Sequence, residues 1–211
     1  SNKKIFKGMI KNRNKKGEAY YVDSTIIPIL DENENIVEYI GIRHDLTPLF
    51  EKDKIILEQF TDKLTSLPNR QKLLTDIKTQ IEPKIAILNI ASFKDINDSY
   101  GTKVGDEILK IFANAMILHE CTNVKAYRLY ADVFAFLAIG NISQKELFKT
   151  CKIFKSYLKK ENHIVADTSF DIMTTVGIAQ GDNILNNAEI AVRCAKKHSK
   201  HIVIFSEEIP M

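Results

Sequence analysis

The sequence predicts an α+β protein: a central antiparallel sheet flanked by helices, preceded by a three-stranded meander and a linker helix. Three observations carry this. From Asp62 onward, helical and strand periods alternate in the order β-α-α-β-β-α-β after a first helix. Two apolar runs in that region, residues 125–131 and 133–139, stand about a tight turn and read as an antiparallel hairpin. Residues 5–46, by contrast, hold strand-like runs only, separated by polar turns.

The first run, residues 5–11, ends at the turn-rich Asn12-Arg13-Asn14-Lys15-Lys16-Gly17. Residues 19–30 are rich in β-branched and aromatic side chains, which favour pleated strands. Asp31-Glu32-Asn33-Glu34-Asn35 is a polar turn, and residues 36–45 form the third strand. Three strands joined by short polar loops make a meander, and one of this size needs further packing to be stable. Thr47-Pro48 opens a helix, because proline suits the first helical turn. Residues 48–61 form that linker helix. It reads equally as a surface helix or as a segment that pairs with its twin in a homodimer, being too short for sustained heptads.

In the second region, residues 70–81 read as a helix and 84–91 as a continuous apolar strand. Residues 93–100 and 104–120 are helical. The hairpin follows. Residues 143–160 are a helix with Ser143 at the N-cap and Glu146 three positions on, the capping-box spacing. Residues 168–179 read as one strand, 185–197 as a helix, and 201–205 as a last strand.

Bulk composition narrows the function. Thirty basic against 27 acidic residues leave a net charge of only +3, too even to imply a nucleic-acid footprint. Cys121, Cys151 and Cys194 are odd in number and widely spaced, so they suggest no disulfide framework and no zinc pattern. Free thiols point to a reducing, cytoplasmic setting. No apolar run approaches the roughly 18–20 residues that span a bilayer. Ser1-Asn2 reads as the scar of a removed tag, so a longer parent protein is expected and its membrane anchoring is left open.

Several blocks, taken in order, resemble the GGDEF (diguanylate cyclase) family. Asp62-Lys63-Leu64-Thr65-Ser66-Leu67-Pro68-Asn69-Arg70 is similar to that family's D-x-L-T-G-L-P-N-R opening, with Ser66 in place of glycine. Phe93-Lys94-Asp95-Ile96-Asn97-Asp98 and the run from Gly101 to Asp106 resemble F-K-x-I-N-D-x-x-G-H-x-x-G-D, with Thr102 replacing histidine. Arg128 to Leu137 aligns with the R-x-G-G-D-E-F-x-x-L hairpin. Thr175-Val176-Gly177-Ile178-Ala179 resembles its S-x-G-I-A strand, and Ala188 to Lys196 its A-D-x-A-L-Y-x-A-K helix. The resemblance implies a nucleotidyl-cyclase-like fold for residues 62–208. Residues 1–47 resemble the C-terminal half of a PAS sensor domain, through Arg13-Asn14-Lys15-Lys16-Gly17, Ile27-Pro28-Ile29 and His44-Asp45-Leu46-Thr47. The half that would complete a ligand pocket is missing from this chain, so no competent small-molecule sensor is expected.

The resemblance also implies a chemistry and shows where this chain departs from it. Joining two GTP molecules into cyclic di-GMP requires a 3′-hydroxyl to attack an α-phosphate, with magnesium holding the phosphates on carboxylate oxygens. The strand residue that supplies one aspartate in the family is Asn89 here, and the next acidic position is Ala91. The signature itself is Tyr130-Ala131-Asp132-Val133-Phe134. Asp132 keeps one possible metal ligand. Val133 replaces a glutamate and can bind no metal. Tyr130 and Ala131 replace the Gly-Gly pair that leaves room for the nucleotide, so a blocked nucleotide floor is expected. No intact catalytic set is therefore expected, and magnesium is called for only if a nucleotide binds.

Asn97 and Asp106 match the positions that read the guanine edge, although Asn and Asp are also favoured helix caps. Lys94, Arg128, Lys196 and Lys200 match basic positions near the phosphates or supporting the site, or are ordinary solvated charges. The family's inhibitory R-x-x-D aligns with Cys121-Thr122-Asn123-Val124, so no inhibitory site for product is expected. The resulting expectation is a non-catalytic regulatory or relay module of bacterial cyclic di-GMP signalling. GTP is a candidate ligand and an EAL phosphodiesterase domain the expected downstream neighbour, since the chain stops about where one would begin. An active diguanylate cyclase is the alternative.

Overall fold

The computed structural model describes residues 3–206. The tag-scar reading of Ser1-Asn2 and the last residues of the expected cyclase-like domain lie outside them. The chain divides into two compact units, one ending at Gln59 and one beginning at Phe60.

The first unit is a three-stranded antiparallel sheet, β1 (Phe6–Arg13), β2 (Ala19–Leu30) and β3 (Ile36–Asp45), in sequential order. Its turns are built as their side chains require. Asn14 Oδ1 accepts from the amides of Lys16 and Glu18, and Gly17 takes φ +83°. Asp31 Oδ1 accepts from the amides of Asn33 and Asn35. Helix α1 (Thr47–Phe60) starts where Asp45 Oδ1 accepts from the Thr47 amide. Thr47 Oγ1 in turn accepts from the Tyr21 amide at 3.0 Å, and the Tyr21 and Phe50 rings lie 4.5 Å apart. No α1 side chain is buried.

The second unit carries a five-stranded sheet in the order β10-β9-β4-β6-β5. These strands are β4 (Lys84–Ile90), β5 (Val124–Tyr130), β6 (Val133–Ala138), β9 (Thr174–Gln180) and β10 (Ile202–Ile204). Every neighbour pairs antiparallel except β10, which runs parallel to β9 because helix α6 (Ile184–Lys197) carries the chain back between them. Alternation along β4 supplies both faces. Ala86, Leu88 and Ile90 point into a core shared with α4 (Thr102–Leu118) and α5 (Gln144–Lys160), around Phe112, Phe134, Phe136 and Phe154. Ile85 and Ile87 point the other way, into a core with α2 (Arg70–Ile77) and α6. Gly177 in β9 is where α6 comes closest: a Cβ there would sit 2.3 Å from the Ala188 carbonyl oxygen and 2.5 Å from the Val192 nitrogen.

Two elements differ most from the sequence reading. Helix α2 stops at Ile77 rather than Ile81, since the chain turns there, with Thr79 Oγ1 donating to the Asp76 carbonyl and Ile81 fully exposed. The strand expected over residues 168–179 is two, one over residues 168–170 and the other β9, and a further short strand precedes them. β7 (His163–Val165) and β8 (Thr168–Phe170) form a small hairpin, whose turn residues Ala166 and Asp167 both have positive φ. That geometry suits a two-residue hairpin turn, but without glycine it left no signal in the sequence. The capping box at Ser143 and Glu146 is present in full.

Candidate functional site: the β5–β6 hairpin and its surroundings

The hairpin is fixed by backbone conformation and by one arginine. Tyr130 closes β5 and pairs with Val133 at the start of β6, with an irregularity just before Tyr130. Ala131 in the turn has φ +42°, the left-handed region that costs an alanine and not a glycine. Ser66, which also stands where the resembled motif has glycine, has φ +61°. Both residues are exposed, so their side chains fit although their backbone conformation is the one glycine adopts freely.

Arg128 is buried and ties the opening motif to this turn. Its Nη1 donates to Asp62 Oδ1 at 2.8 Å, and Nη2 and Nε donate to the Ala131 carbonyl at 2.8 and 3.2 Å. The guanidinium also lies over the Phe134 ring. Burial pushes the Asp62 carboxyl upward, but hydrogen bonds from Thr65 and Arg128 outweigh it and hold the group below the usual aspartate value. Arg128 is thus a structural clasp in this structure, with each of its three nitrogens engaged.

Asn89 and Asp132 meet across the strands. Asn89 Nδ2 donates to Asp132 Oδ2 at 2.7 Å, and Asn89 pairs in register with Val133 on β6. An aspartate at position 89 would set two carboxylates face to face, which a divalent cation would bridge. The amide here satisfies Asp132 with a proton donor instead. Among the described residues, no three His, Cys, Asp or Glu side chains gather closely enough to hold a metal ion.

Beside this pair is a cavity of about 160 Å³ lined by Asn89, Tyr130, Val133, Glu189, Arg193 and Lys196, with Ile87 and Val192 behind. Tyr130 crosses from the hairpin to α6, where its hydroxyl hydrogen-bonds Glu189 Oε1 at 3.2 Å. Partial burial, followed by the Glu189 charge, raises the Tyr130 hydroxyl above its ordinary value, so it remains a neutral donor. The volume is below the 300 Å³ or so at which pockets that enclose a small molecule begin. Glu189 and Arg193 were not singled out from sequence. The signal was their spacing with Lys196 along one face of α6.

The other expected residues are spread around this centre. Asn97 is in α3 (Phe93–Tyr100) and Asp106 in the second turn of α4, so neither caps a helix; the N-cap of α4 is Gly101. The Asn97 amide lies against Gly105, where an added Cβ would fall 2.0 Å from Asn97 Oδ1. Asp106 and Lys94 are exposed. Lys196 lines the hairpin cavity, but Lys200 lines a different hollow, against α5. At the position matching the inhibitory motif, Cys121, Thr122 and Asn123 are exposed and Val124 is buried as the first residue of β5.

Comparison with known proteins bears on the family and the fold. The sequence profile described as "Diguanylate cyclase, GGDEF domain" matches residues 59–201. The signaling protein YkoW of Bacillus subtilis is 25% identical over 198 residues, covering 86% of this chain and 24% of that protein. The diguanylate cyclase DosC of Escherichia coli is 25% identical over 158 residues, covering 67% of this chain and 34% of DosC. The chain therefore spans a quarter to a third of the length of these relatives. Among solved structures, the coiled coil and GGDEF domain of DgcB from Caulobacter crescentus, in complex with c-di-GMP, superposes with a TM-score of 0.65 at 19% identity, covering 74% of this chain and 92% of that one. The GGDEF domain of FimX from Pseudomonas aeruginosa superposes with a TM-score of 0.62 at 15% identity, covering 69% of this chain and 98% of that one. At such identities these likenesses concern the fold.

Proposed function

Because this chain belongs to the diguanylate cyclase GGDEF domain family, we propose that it is a non-catalytic regulatory module of cyclic di-GMP signalling. The observation that carries the reading is the Asn89–Asp132 hydrogen bond. Condensing two GTP molecules needs magnesium on anionic oxygens to neutralise the phosphates and activate the attacking hydroxyl. Here the donor set does not fit that ion. One carboxylate remains, one of its two oxygens accepts from an amide proton donor, and the neighbouring position is the buried, apolar Val133. Tyr130 adds a second obstacle, since its ring spans the gap to Glu189 and leaves a cavity of about 160 Å³.

In this reading the domain works by relaying a rearrangement to a neighbour. The first unit is the C-terminal half of a PAS domain, α1 is the linker through which two copies pair, and an EAL phosphodiesterase domain is the downstream partner in the parent protein. GTP is a candidate ligand through Asn97 and Asp106, without turnover. Similarity to the diguanylate cyclase DosC favours the alternative of an active cyclase, which sets the test. Incubation with GTP and magnesium, followed by chromatography for cyclic di-GMP, is expected to give none; clear turnover refutes the proposal. A calorimetric titration with GTP then separates a sensing module from one that binds no nucleotide. The Asn89→Asp, Val133→Glu double variant is expected to stay inactive while Tyr130 is present. Its recovery of activity would refute the steric part of the argument.

A further inference from the structure

Helix α5 has six lysines and a single glutamate. That glutamate, Glu146, is committed to the capping box, where its carboxylate accepts from the Ser143 amide and hydroxyl. It neutralises none of the lysines by direct contact. Phe148, Lys152, Lys155 and Ser156 share one face of α5, by the i, i+4, i+7, i+8 spacing. That face meets Ser199, Lys200, His201 and Ile202, from the turn between α6 and β10, around a hollow of about 450 Å³. Ser199 has φ +51° and starts this turn, and the Lys200 amide closes it by donating to the Ala195 carbonyl.

We propose that this hollow is an anion-binding site for a small molecule bearing several phosphates, such as a nucleoside polyphosphate. Three lysines and a histidine from two segments far apart in sequence line the hollow, and among the described residues no carboxylate does. Like charges brought together without a counter-charge repel one another, and a polyanion removes that repulsion. A solvated lysine face would point outward along its whole length. Lys155 instead is half-buried, its ammonium held by the Thr174 carbonyl. Ser156 and Ser199 supply hydroxyl donors at the rim. Phe148 and Ile202 give an apolar wall against which a flat ring can rest. Neither Lys152 nor Lys200 forms an ion pair among the described residues. The hollow shares no lining residue with the hairpin cavity, so it stands or falls independently of nucleotide binding there.

Calorimetric titration of inorganic tripolyphosphate, in chelator and at low salt, tests the site. One molecule per chain is expected, with affinity falling as salt rises toward the physiological range. The Lys152→Gln, Lys200→Gln pair is expected to weaken binding at least about tenfold. Lys196→Gln, in the hairpin cavity, and the exposed Lys103→Gln, Lys125→Gln pair, which removes the same net charge, are expected to leave it within about twofold. Amide chemical-shift changes in the unsubstituted protein should centre on residues 148–156 and 199–202. Absence of binding overturns the proposal, as do shifts centred on residues 89, 130 and 196. Equal loss in the Lys103, Lys125 control also overturns it, by reducing the effect to overall charge. Parallel titration with GTP shows whether the nucleoside adds affinity at the same residues. Shifts from GTP confined to the hairpin would refute the nucleotide assignment while leaving the phosphate site standing.

Discussion

Replacing Arg128 with alanine tests whether the hairpin is held by this one guanidinium. The change removes the 2.8 Å bond to Asp62 and both bonds to the Ala131 carbonyl. Hydrogen bonds to charged groups contribute about 1.5–3 kcal/mol each, and removing one partner leaves the other unpaired. The Arg128 side chain is 10% exposed and Asp62 is 26% exposed, so water repays part of the loss on the carboxylate side. The expected destabilisation is about 3 kcal/mol, within the range for breaking partly buried pairs. Urea unfolding followed by far-UV circular dichroism measures it, the chain having no tryptophan for fluorescence. Combined with Asp62→Asn in a double-mutant cycle, the coupling should be about 1–2 kcal/mol. The pH dependence provides a sign test. The folded Asp62 carboxyl lies below its ordinary value of 3.8, so its contribution is present above that pH and is lost as pH falls through the folded value. The gap between native protein and variant must therefore narrow in acid. A loss under about 1 kcal/mol, no coupling to Asp62, or a gap unchanged at low pH would each refute the clasp.

Three further outcomes are expected. Ala131→Gly relieves the left-handed backbone at φ +42°, offset in part by the freedom glycine gains when unfolded, so stability should rise by about 0.5 kcal/mol; a clear loss would mean the methyl packs. Gly177→Ala drives a methyl against the backbone of α6, which cannot yield as a side chain could, and should cost about 2–4 kcal/mol by thermal unfolding; a cost under about 0.5 kcal/mol would show that α6 moves freely. Burial pushes the Cys151 thiol up to about 12 from 9.0. Its contribution is therefore complete below pH 9 and lost as pH rises toward the folded value, reaching about 1.4 kcal/mol of loss by pH 10. Cys151→Ala should lower stability at neutral pH yet lessen this alkaline decline, and an unchanged slope would count against it.

The hairpin shows how much of the site could be read in advance. Val133 and Asn89 announced lost carboxylates by residue type alone, since neither can carry the charge that a metal needs. In sequence, Ser66 looks like a mild replacement and Ala131 like a methyl set where a nucleotide would pass. Only their φ values show that the chain kept a glycine-like backbone without glycine. Arg128 matched a position near the phosphates or supporting the site. Which of these it does depends on Asp62, 66 residues away, and no local pattern encodes that contact.

The sequence by itself determined the order of strands and helices apart from the β7–β8 hairpin, the capped start of α5 and the absence of a second acid at the signature. These follow from periodicity, cap chemistry and residue type, all of which are local. Tertiary structure decided what the remaining side chains are for. It turned Asn89 toward Asp132, stood Tyr130 against Glu189, broke residues 168–179 into two strands of which the first pairs with residues 163–165, and moved Lys200 from the expected phosphate site to the face of α5. The physical reason is that spacing along a chain fixes which face of an element a side chain occupies, whereas its partner depends on which element folding brings against that face.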